Sequence, residues 1–283
     1  MLTQLSDQIF KLAESPRYHE GAVWFTDIQT HTLYRWTEGE PQPVMVEPQV
    51  CSFIFDEDGG MVFGNFDGLY KKEKDGSIRT LAEGLKINDM GVDPAGRILF
   101  GTNYHSGARK YPLGSLYRYS REKGLEELDY GYHLSNGIAF APDGKTMYAV
   151  DTSVRCIFRY DYDPETGAFG RREIFTRFRM DDGMPDGMTI DSEGCLWTAH
   201  WYGYCVIRTS PEGEMLEKIP MPVGLVSAVE FCPQGLFVTS GTDYGRLDIA
   251  PASFDPKTAP GLDGHVFLLE TPHTGAPHGL CRI

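Results

Sequence analysis

The sequence predicts an all-β protein, namely a six-bladed β-propeller with four-stranded blades. Segments with the periodicity of a long helix are almost absent, whereas alternating β-branched and aromatic residues recur along the chain. One hairpin pattern repeats: a polar residue, a short apolar segment, a turn that contains glycine, and a second apolar segment. Repeats of this kind predict a ring of similar sheets in which only short sheet edges are exposed.

The turn glycines give the length of a blade. From the second copy onward they lie 37 to 50 residues apart, as in propeller blades, at Gly59, Gly96, Gly144, Gly194 and Gly235. The six copies begin at Glu14, Cys51, Asn88, Asn136, Asp186 and Ser227. Between them, "SIRTLAE", "RREIFTRF" and "EMLEKIPMP" are candidate fourth strands. We expect "QIFKLAE" near the start to pair with the last blade around "GHVFLLE", which would close residues 1–283 into a single propeller domain.

Two glutamates compete for the head of the first strand in the first hairpin. Alignment of "AVWFTD" with "RILFGT" and "CLWTAH" makes Gly21 the turn glycine, so that Glu20 lies in the turn and Glu14 heads the strand. The alternative register starts the strand at "HEGAVW" and gives this position to Glu20. That register deletes the turn that the other five blades have, so we expect Glu14 to point into the channel and Glu20 to be solvated.

Composition restricts the partners and the compartment. The formal net charge is −14 and no basic stripe is present, so nucleic acid is not expected as a partner. No apolar run approaches the length of a membrane span, and the first residues do not resemble a signal peptide. The six cysteines form no C-x-x-C pair, which is typical of reduced thiols. We therefore expect a cytoplasmic protein that does not bind membranes and is a monomer or a weak homodimer.

The repeated strand heads predict a metal site in the central channel. The innermost strand of each blade lines the channel, so residues at the same point of the repeat meet at one face. Two carboxylates (Glu14 and Asp186) and two of the chain's four asparagines (Asn88 and Asn136) occupy this point. One such residue would usually only stabilise a turn. Four in register suit a hard divalent cation, Ca²⁺, Mg²⁺ or Mn²⁺ with Zn²⁺ possible, and leave coordination positions open.

Four motifs in order resemble those of the senescence marker protein (regucalcin)/gluconolactonase family. They are "AESPRYH…GAVWFTDI", "KINDMGVDPAGRILFGT", "LSNGIAFAPDGKTMYAVDT" and "MPDGMTIDSEGCLWTAHW". The resemblance implies a six-bladed propeller with one divalent metal ion (Ca, Zn, Mg, Mn or Fe) and the hydrolysis of a small-molecule sugar lactone to the aldonic acid.

The same resemblance implies roles for individual residues. The metal ligands would be Glu14, Asn136 and Asp186, with Asp186 also the candidate catalytic base. Asn88 would contact the substrate, and Lys86 stands where the family often has an arginine. Ser15 and Arg17 depart from the family's usual "E-G-P-V-W", and the loop "NYHSGARKYP" differs, so the family's sugar specificity is not transferred.

Several residues near the strand ends have two readings each. His105 and His200 are candidates for contacts to substrate hydroxyls or for ordinary packing, and His133 is a weaker candidate for the same rim. Asp89 is either an orienting residue behind the site or a turn cap. Two other functions also remain open: a calcium-binding propeller without catalysis, and a related hydrolase of non-sugar lactones or organophosphates.

Overall fold

Six four-stranded antiparallel sheets surround a central channel, which confirms the predicted six-bladed β-propeller. The computed structural model describes residues 1–103, 113–242 and 261–283. Blade 1 consists of β2 (Ala13–His19), β3 (Ala22–Asp27), β4 (Thr32–Trp36) and β5 (Gln42–Val46). Blade 2 consists of β6 (Ser52–Phe55), β7 (Met61–Gly64), β8 (Gly68–Lys72) and β9 (Ile78–Glu83). Blade 3 consists of β10 (Ile87–Val92), β11 (Ile98–Thr102), β12 (Gly114–Ser120) and β13 (Gly124–Tyr132).

The remaining blades follow the same order. Blade 4 consists of β14 (Ser135–Phe140), β15 (Thr146–Asp151), β16 (Cys156–Asp161) and β17 (Glu173–Arg177). A 3₁₀ turn at Met180–Asp182 precedes blade 5, which consists of β18 (Met184–Ile190), β19 (Leu196–Trp201), β20 (Cys205–Thr209) and β21 (Met215–Pro220). Blade 6 consists of β22 (Val226–Cys232), β23 (Gly235–Ser240), β24 (Phe267–Leu269) and β1 (Leu2–Gln4). No helix in these three ranges is long and apolar enough to cross a membrane.

The first residues close the ring, but the closing strand is not the predicted one. Strand β1 pairs with β24, with Leu2 opposite Leu269. The predicted segment "QIFKLAE" instead connects β1 to blade 1. Its Phe10 is fully buried against Phe25 and Tyr34, and the segment ends inside β2. Phe10 therefore fills the space between blade 1 and blade 6, and the segment does not form a fourth strand.

The hairpin turns follow the repeat. All six predicted turn glycines have positive φ, a conformation that side chains other than glycine rarely adopt. In the first hairpin, Glu20 and Gly21 both have positive φ (47° and 77°), the geometry of a two-residue turn between antiparallel strands. The first-blade register with Glu14 at the strand head thus agrees with the observed hairpin.

Glycine in the inner strands brings adjacent blades into close contact. A Cβ on Gly137 would lie 2.5 Å from the Cβ of Met188, and one on Gly187 would lie 2.4 Å from the Cβ of Ala228. The small residues that follow Asn136 and Asp186 therefore let neighbouring inner strands approach, and this places their polar side chains around one narrow opening.

Candidate functional site

β-Bulges aim the polar side chains into the channel. In five blades the pairing of the first and second strands shifts register beside the strand head, whereas blade 2 is regular. The shifts lie at Glu14/Arg17, Ile87/Asp89, Asn136/Ile138, Pro185/Met188 and Val226/Ala228. A bulge leaves one residue unpaired and redirects its side chain, and bulges are common beside active sites. Residues that would alternate between two faces in a regular strand thus share one pocket.

The pocket at this end of the channel combines a polar centre with an apolar rim. Its polar lining consists of Glu14, Asn88, Asp89, Asn136, Asp186 and Thr152. Its apolar lining consists of Leu12, Ile28, Phe66, Leu134 and Trp201, with Cys51 at one side. The structure therefore brings together Glu14, Asn136 and Asp186, the three predicted metal ligands, and the predicted substrate contact Asn88.

A chain of hydrogen bonds fixes the two amides. Asn88 Nδ2 donates to Asn136 Oδ1 (2.6 Å) and to the carbonyl oxygen of Ser135 (2.9 Å). Asn136 Nδ2 in turn donates to Thr152 Oγ1 (2.8 Å). Because both amide nitrogens are used inside the protein, the oxygens are the atoms that remain for a ligand. An amide oxygen carries two lone pairs, so Asn136 Oδ1 can serve Asn88 and a cation at once.

Three carboxylates share the pocket. Removal from bulk water raises the pKa of Glu14 well above its ordinary value, and the nearby charges of Asp186 and Asp89 raise it further. Asp89 is anchored, since its Oδ1 accepts hydrogen bonds from Ser52 Oγ (2.9 Å) and from the backbone N–H of Met90 (2.7 Å). Ser52 Oγ is also 2.8 Å from Ser15 Oγ, which links the anchor back to blade 1.

The donor set fits a hard divalent cation. Carboxylate and amide oxygens converge with no imidazole among the described lining residues, and the crowded negative charges that raise the pKa of Glu14 are those that a cation would neutralise. Asp191, Glu193 and His273 form another group of potential ligands, whose donor atoms lie within 4.8 Å of one another. There, Arg208 lies 2.9 Å from Asp191 Oδ2 and also contacts Glu193, so a guanidinium already compensates the charge.

Comparison with known proteins identifies the family. The SMP-30/gluconolactonase/LRE-like region matches residues 12–242. The chain belongs to this family. The match includes every polar residue of the pocket, and it confirms the resemblance carried by the four sequence motifs.

Similarity within the SMP-30/gluconolactonase/LRE-like family extends over nearly the whole chain. Pentonolactonase XacC of Haloferax volcanii is 31% identical over an alignment of 287 residues that covers 98% of this chain and 96% of the relative. The 6-deoxy-6-sulfogluconolactonase of Pseudomonas putida is 31% identical over 82% of this chain and 84% of its own. A calcium-binding protein, regucalcin, from Agrobacterium tumefaciens has a crystal structure with a TM-score of 0.87 and 25% identity, covering 99% of this chain and 97% of that one.

Lys86 and His133 do not line the pocket. Lys86 is exposed just before β10, and its carbonyl oxygen accepts a hydrogen bond from the backbone N–H of Asn103 (2.8 Å). His105 lies outside the described residues. His133 is half exposed, and its Nδ1 lies 3.3 Å from Asp151 Oδ2.

His200 is not at the pocket. Its ring is 0% exposed and packs edge-on against Phe178. Nδ1 lies 2.9 Å from the carbonyl oxygen of Asp182, and Nε2 lies 2.9 Å from Thr198 Oγ1. Burial lowers the pKa of His200 to about 3, so the ring is neutral near pH 7. Both ring nitrogens are engaged within the protein beside blade 5, which favours packing over contact with a substrate hydroxyl for His200.

The remaining strand heads, Ser227 and Cys51, do not supply a charged ligand to the pocket. Ser227 Oγ donates to the carbonyl oxygen of Ala13 (2.6 Å), which ties blade 6 to blade 1. Burial raises the pKa of the Cys51 thiol well above its ordinary value, so it is not a thiolate at neutral pH. Glu20 has an 86% exposed side chain in the turn. Sequence reasoning had not placed Asp89 in the pocket, because only the bulge at Ile87/Asp89 turns two successive side chains toward it.

Proposed function

We propose that the protein is a lactonase that hydrolyses a sugar-acid lactone to the aldonic acid with the help of a divalent cation. The observation that carries this proposal is the convergence of Glu14, Asn136 and Asp186 in a pocket that is open at the channel mouth. Relatives named pentonolactonase and 6-deoxy-6-sulfogluconolactonase support the reaction class.

Glu14, Asn136 and Asp186 would hold the cation through their oxygens. When bound, a divalent cation polarises a carbonyl oxygen and stabilises the negative charge that develops on it during ester hydrolysis. The hydrogen bond from Asn136 to Thr152 occupies the amide nitrogen, so the amide oxygen is the atom that would bind the cation. The three ligands come from blades 1, 4 and 5, so the rigid ring rather than a loop sets their spacing.

Asp186 is the candidate general base. Water that attacks the lactone carbonyl must lose a proton, and a carboxylate beside the reacting carbon can accept it. Asp186 is 6% exposed and lines the pocket. After the ring C–O bond breaks, the proton passes to the leaving alkoxide, which becomes the hydroxyl group of the aldonic acid. Asn88, held by Ser135 and Asn136, offers its amide oxygen to a substrate hydroxyl.

The decisive experiment measures acid release from a panel of aldonolactones by the chelated protein, with Ca²⁺, Mg²⁺, Mn²⁺, Zn²⁺ and Fe²⁺ added back singly. We expect chelation to abolish turnover and at least one cation to restore it. The β circular-dichroism signal should persist without metal, because strand pairing and interblade packing hold the propeller. Full activity of the chelated protein would contradict the proposal.

Calcium binding without catalysis is a second candidate, since the relative from Agrobacterium tumefaciens is described as a calcium-binding protein. It predicts tight Ca²⁺ binding and no turnover of any lactone. The apolar rim, with Phe66 and Trp201, supports the inclusion of non-sugar lactones and an organophosphate ester in the same panel. Turnover of these compounds in preference to aldonolactones would move the assignment to a different substrate class.

A further inference from the structure

Arg17 crosses the channel directly below the pocket. It lies in β2, three residues after Glu14, at a position where the sequence departs from the family pattern. Its guanidinium donates from Nη2 to the carbonyl oxygen of Met90 in blade 3 (2.7 Å) and from Nη1 to the carbonyl oxygen of Pro16 (3.0 Å). The side chain thus spans from blade 1 to blade 3 and is only 21% exposed.

Arg17 separates two cavities of the channel. The upper cavity is the pocket with the three carboxylates, and Arg17 is absent from its lining. The lower cavity, at the opposite end, is lined by Arg17 together with His19, Phe55, Met188 and His278. The guanidinium therefore lies between the two cavities. It is on the side of the carboxylates that is opposite to the open mouth of the pocket.

The charge of Arg17 acts on the site. Its Nη2 lies 3.8 Å from Asp89 Oδ1, and its positive charge also acts on the Glu14 carboxylate. Both of its hydrogen-bond acceptors are neutral carbonyls, and the ion pair with Asp89 is longer than a hydrogen bond, so the guanidinium charge is only partly cancelled. Three carboxylates with one fixed cation have a net charge of about −2, which a divalent ion neutralises.

We propose that Arg17 is a built-in counter-cation that weakens and thereby sets the affinity of this site for divalent metal. The proposal rests on the cation site of the proposed function but not on lactone hydrolysis. Like charges repel, so a guanidinium under the ligands opposes a cation above them, and the effect is strong where water is excluded. Removing the charge while keeping the bulk of the side chain should therefore tighten metal binding.

The test is a titration of the chelated, desalted full-length chain with Ca²⁺ or Mn²⁺ alone. Metal binding is measured by calorimetry or by competition with a chelator. We expect Arg17→Met to lower the Kd by roughly tenfold or more, from Coulomb's law for partly buried charges. Arg17→Lys keeps the charge and should stay within about threefold of wild type by the same reasoning. Arg159→Met is the matched control, because it also removes one positive charge, but from an exposed pair with Glu173 on blade 4.

Each outcome bears on the proposal. A tighter Kd in Arg17→Met, with Arg17→Lys and Arg159→Met near wild type, supports it. An unchanged or weaker Kd in a folded Arg17→Met overturns it, and Arg17→Gln carries the same test if the methionine variant does not fold. Absence of metal binding by the wild-type chain would overturn both this proposal and the cation site. Metal binding that tightens as expected without any lactone turnover would overturn only the proposed reaction.

Discussion

Replacement of Glu14 by glutamine separates the cation site from the stability of the propeller. The change keeps the shape of the side chain and removes one of the three pocket charges. In the metal-free protein, burial and the charges of Asp186 and Asp89 raise the pKa of Glu14, so the ionised form is disfavoured there. The metal-free Glu14→Gln variant should therefore unfold at a temperature equal to or above that of the metal-free wild type, while cation binding is lost.

The size of the effect follows from linkage. A cation at 100 times its Kd stabilises the wild-type protein by about 2.7 kcal/mol. For 283 residues the entropy of unfolding is about 0.6 kcal/mol/K, so this stabilisation corresponds to a rise in Tm of about 5 °C. Glu14→Gln removes a ligand charge, and we expect a shift below about 1 °C at the same cation concentration.

The assay is thermal unfolding followed by circular dichroism, with chelator and with excess cation. Glu20→Gln is the matched control, since it makes the same chemical change six residues away on an 86% exposed side chain. It should retain the full wild-type shift, because surface substitutions usually change stability by no more than about 0.5 kcal/mol. A full shift in Glu14→Gln, or its loss in Glu20→Gln, would refute the assignment of the first-blade ligand.

Three further predictions test the reaction, the buried histidine and the lower face. Asp186→Asn should lower kcat by about 10²–10⁴-fold at saturating cation without a change in circular dichroism, and near-normal initial rates would remove this residue from the mechanism. Because the pKa of His200 is lowered to about 3, the folded protein binds fewer protons than the unfolded chain as pH falls below about 6.5, and stability decreases by up to about 1.4 kcal/mol per pH unit. In urea unfolding between pH 7 and 5, the free energy of unfolding should change less with pH in His200→Gln than in the wild type. An equal pH dependence in the two proteins would contradict this. His278→Ala should destabilise the fold by about 1–3 kcal/mol, because it leaves Glu230, which is 1% exposed and 3.0 Å from His278, without its imidazole partner; a Glu230→Gln change in the same chain should restore part of the loss in a denaturant titration.

The fold was predictable because its signal is repeated. Each blade has its own turn glycine and strand head. The register of one copy can therefore be checked against the register of the other five. The closing strand was predicted wrongly because it occurs once and pairs over only three residues, Leu2–Gln4. The stronger apolar signal next to it belongs to Phe10, which is buried between blades. Apolar character alone does not distinguish a strand residue from one that fills an interblade space.

The convergence of the strand heads in one pocket was predictable from the repeat, whereas side-chain positions that depend on departures from regular strand geometry were not. Alternation would send the side chains of Asn88 and Asp89 to opposite faces, whereas the bulge turns both into the pocket. His200 shows the converse. Its position at the end of the second strand suggested access to a substrate, but the sequence does not say that the ring points into blade 5, toward Phe178 and the carbonyl oxygen of Asp182.

The charges of the pocket also bear on how a product would leave. With a divalent cation bound, the three described pocket carboxylates and Arg17 form a site of about zero net charge. A neutral lactone needs no ion pair to enter such a site, and hydrolysis converts it into an anion. That anion faces a protein of net charge −14 and the carboxylates that line the pocket, so the electrostatic field favours its departure. Without Arg17, a more tightly held cation would lie among carboxylates with one uncompensated negative charge. That charge would oppose the negative oxygen that develops during the reaction. On this reasoning, Arg17 weakens metal affinity but removes a negative charge that would otherwise oppose the developing oxyanion.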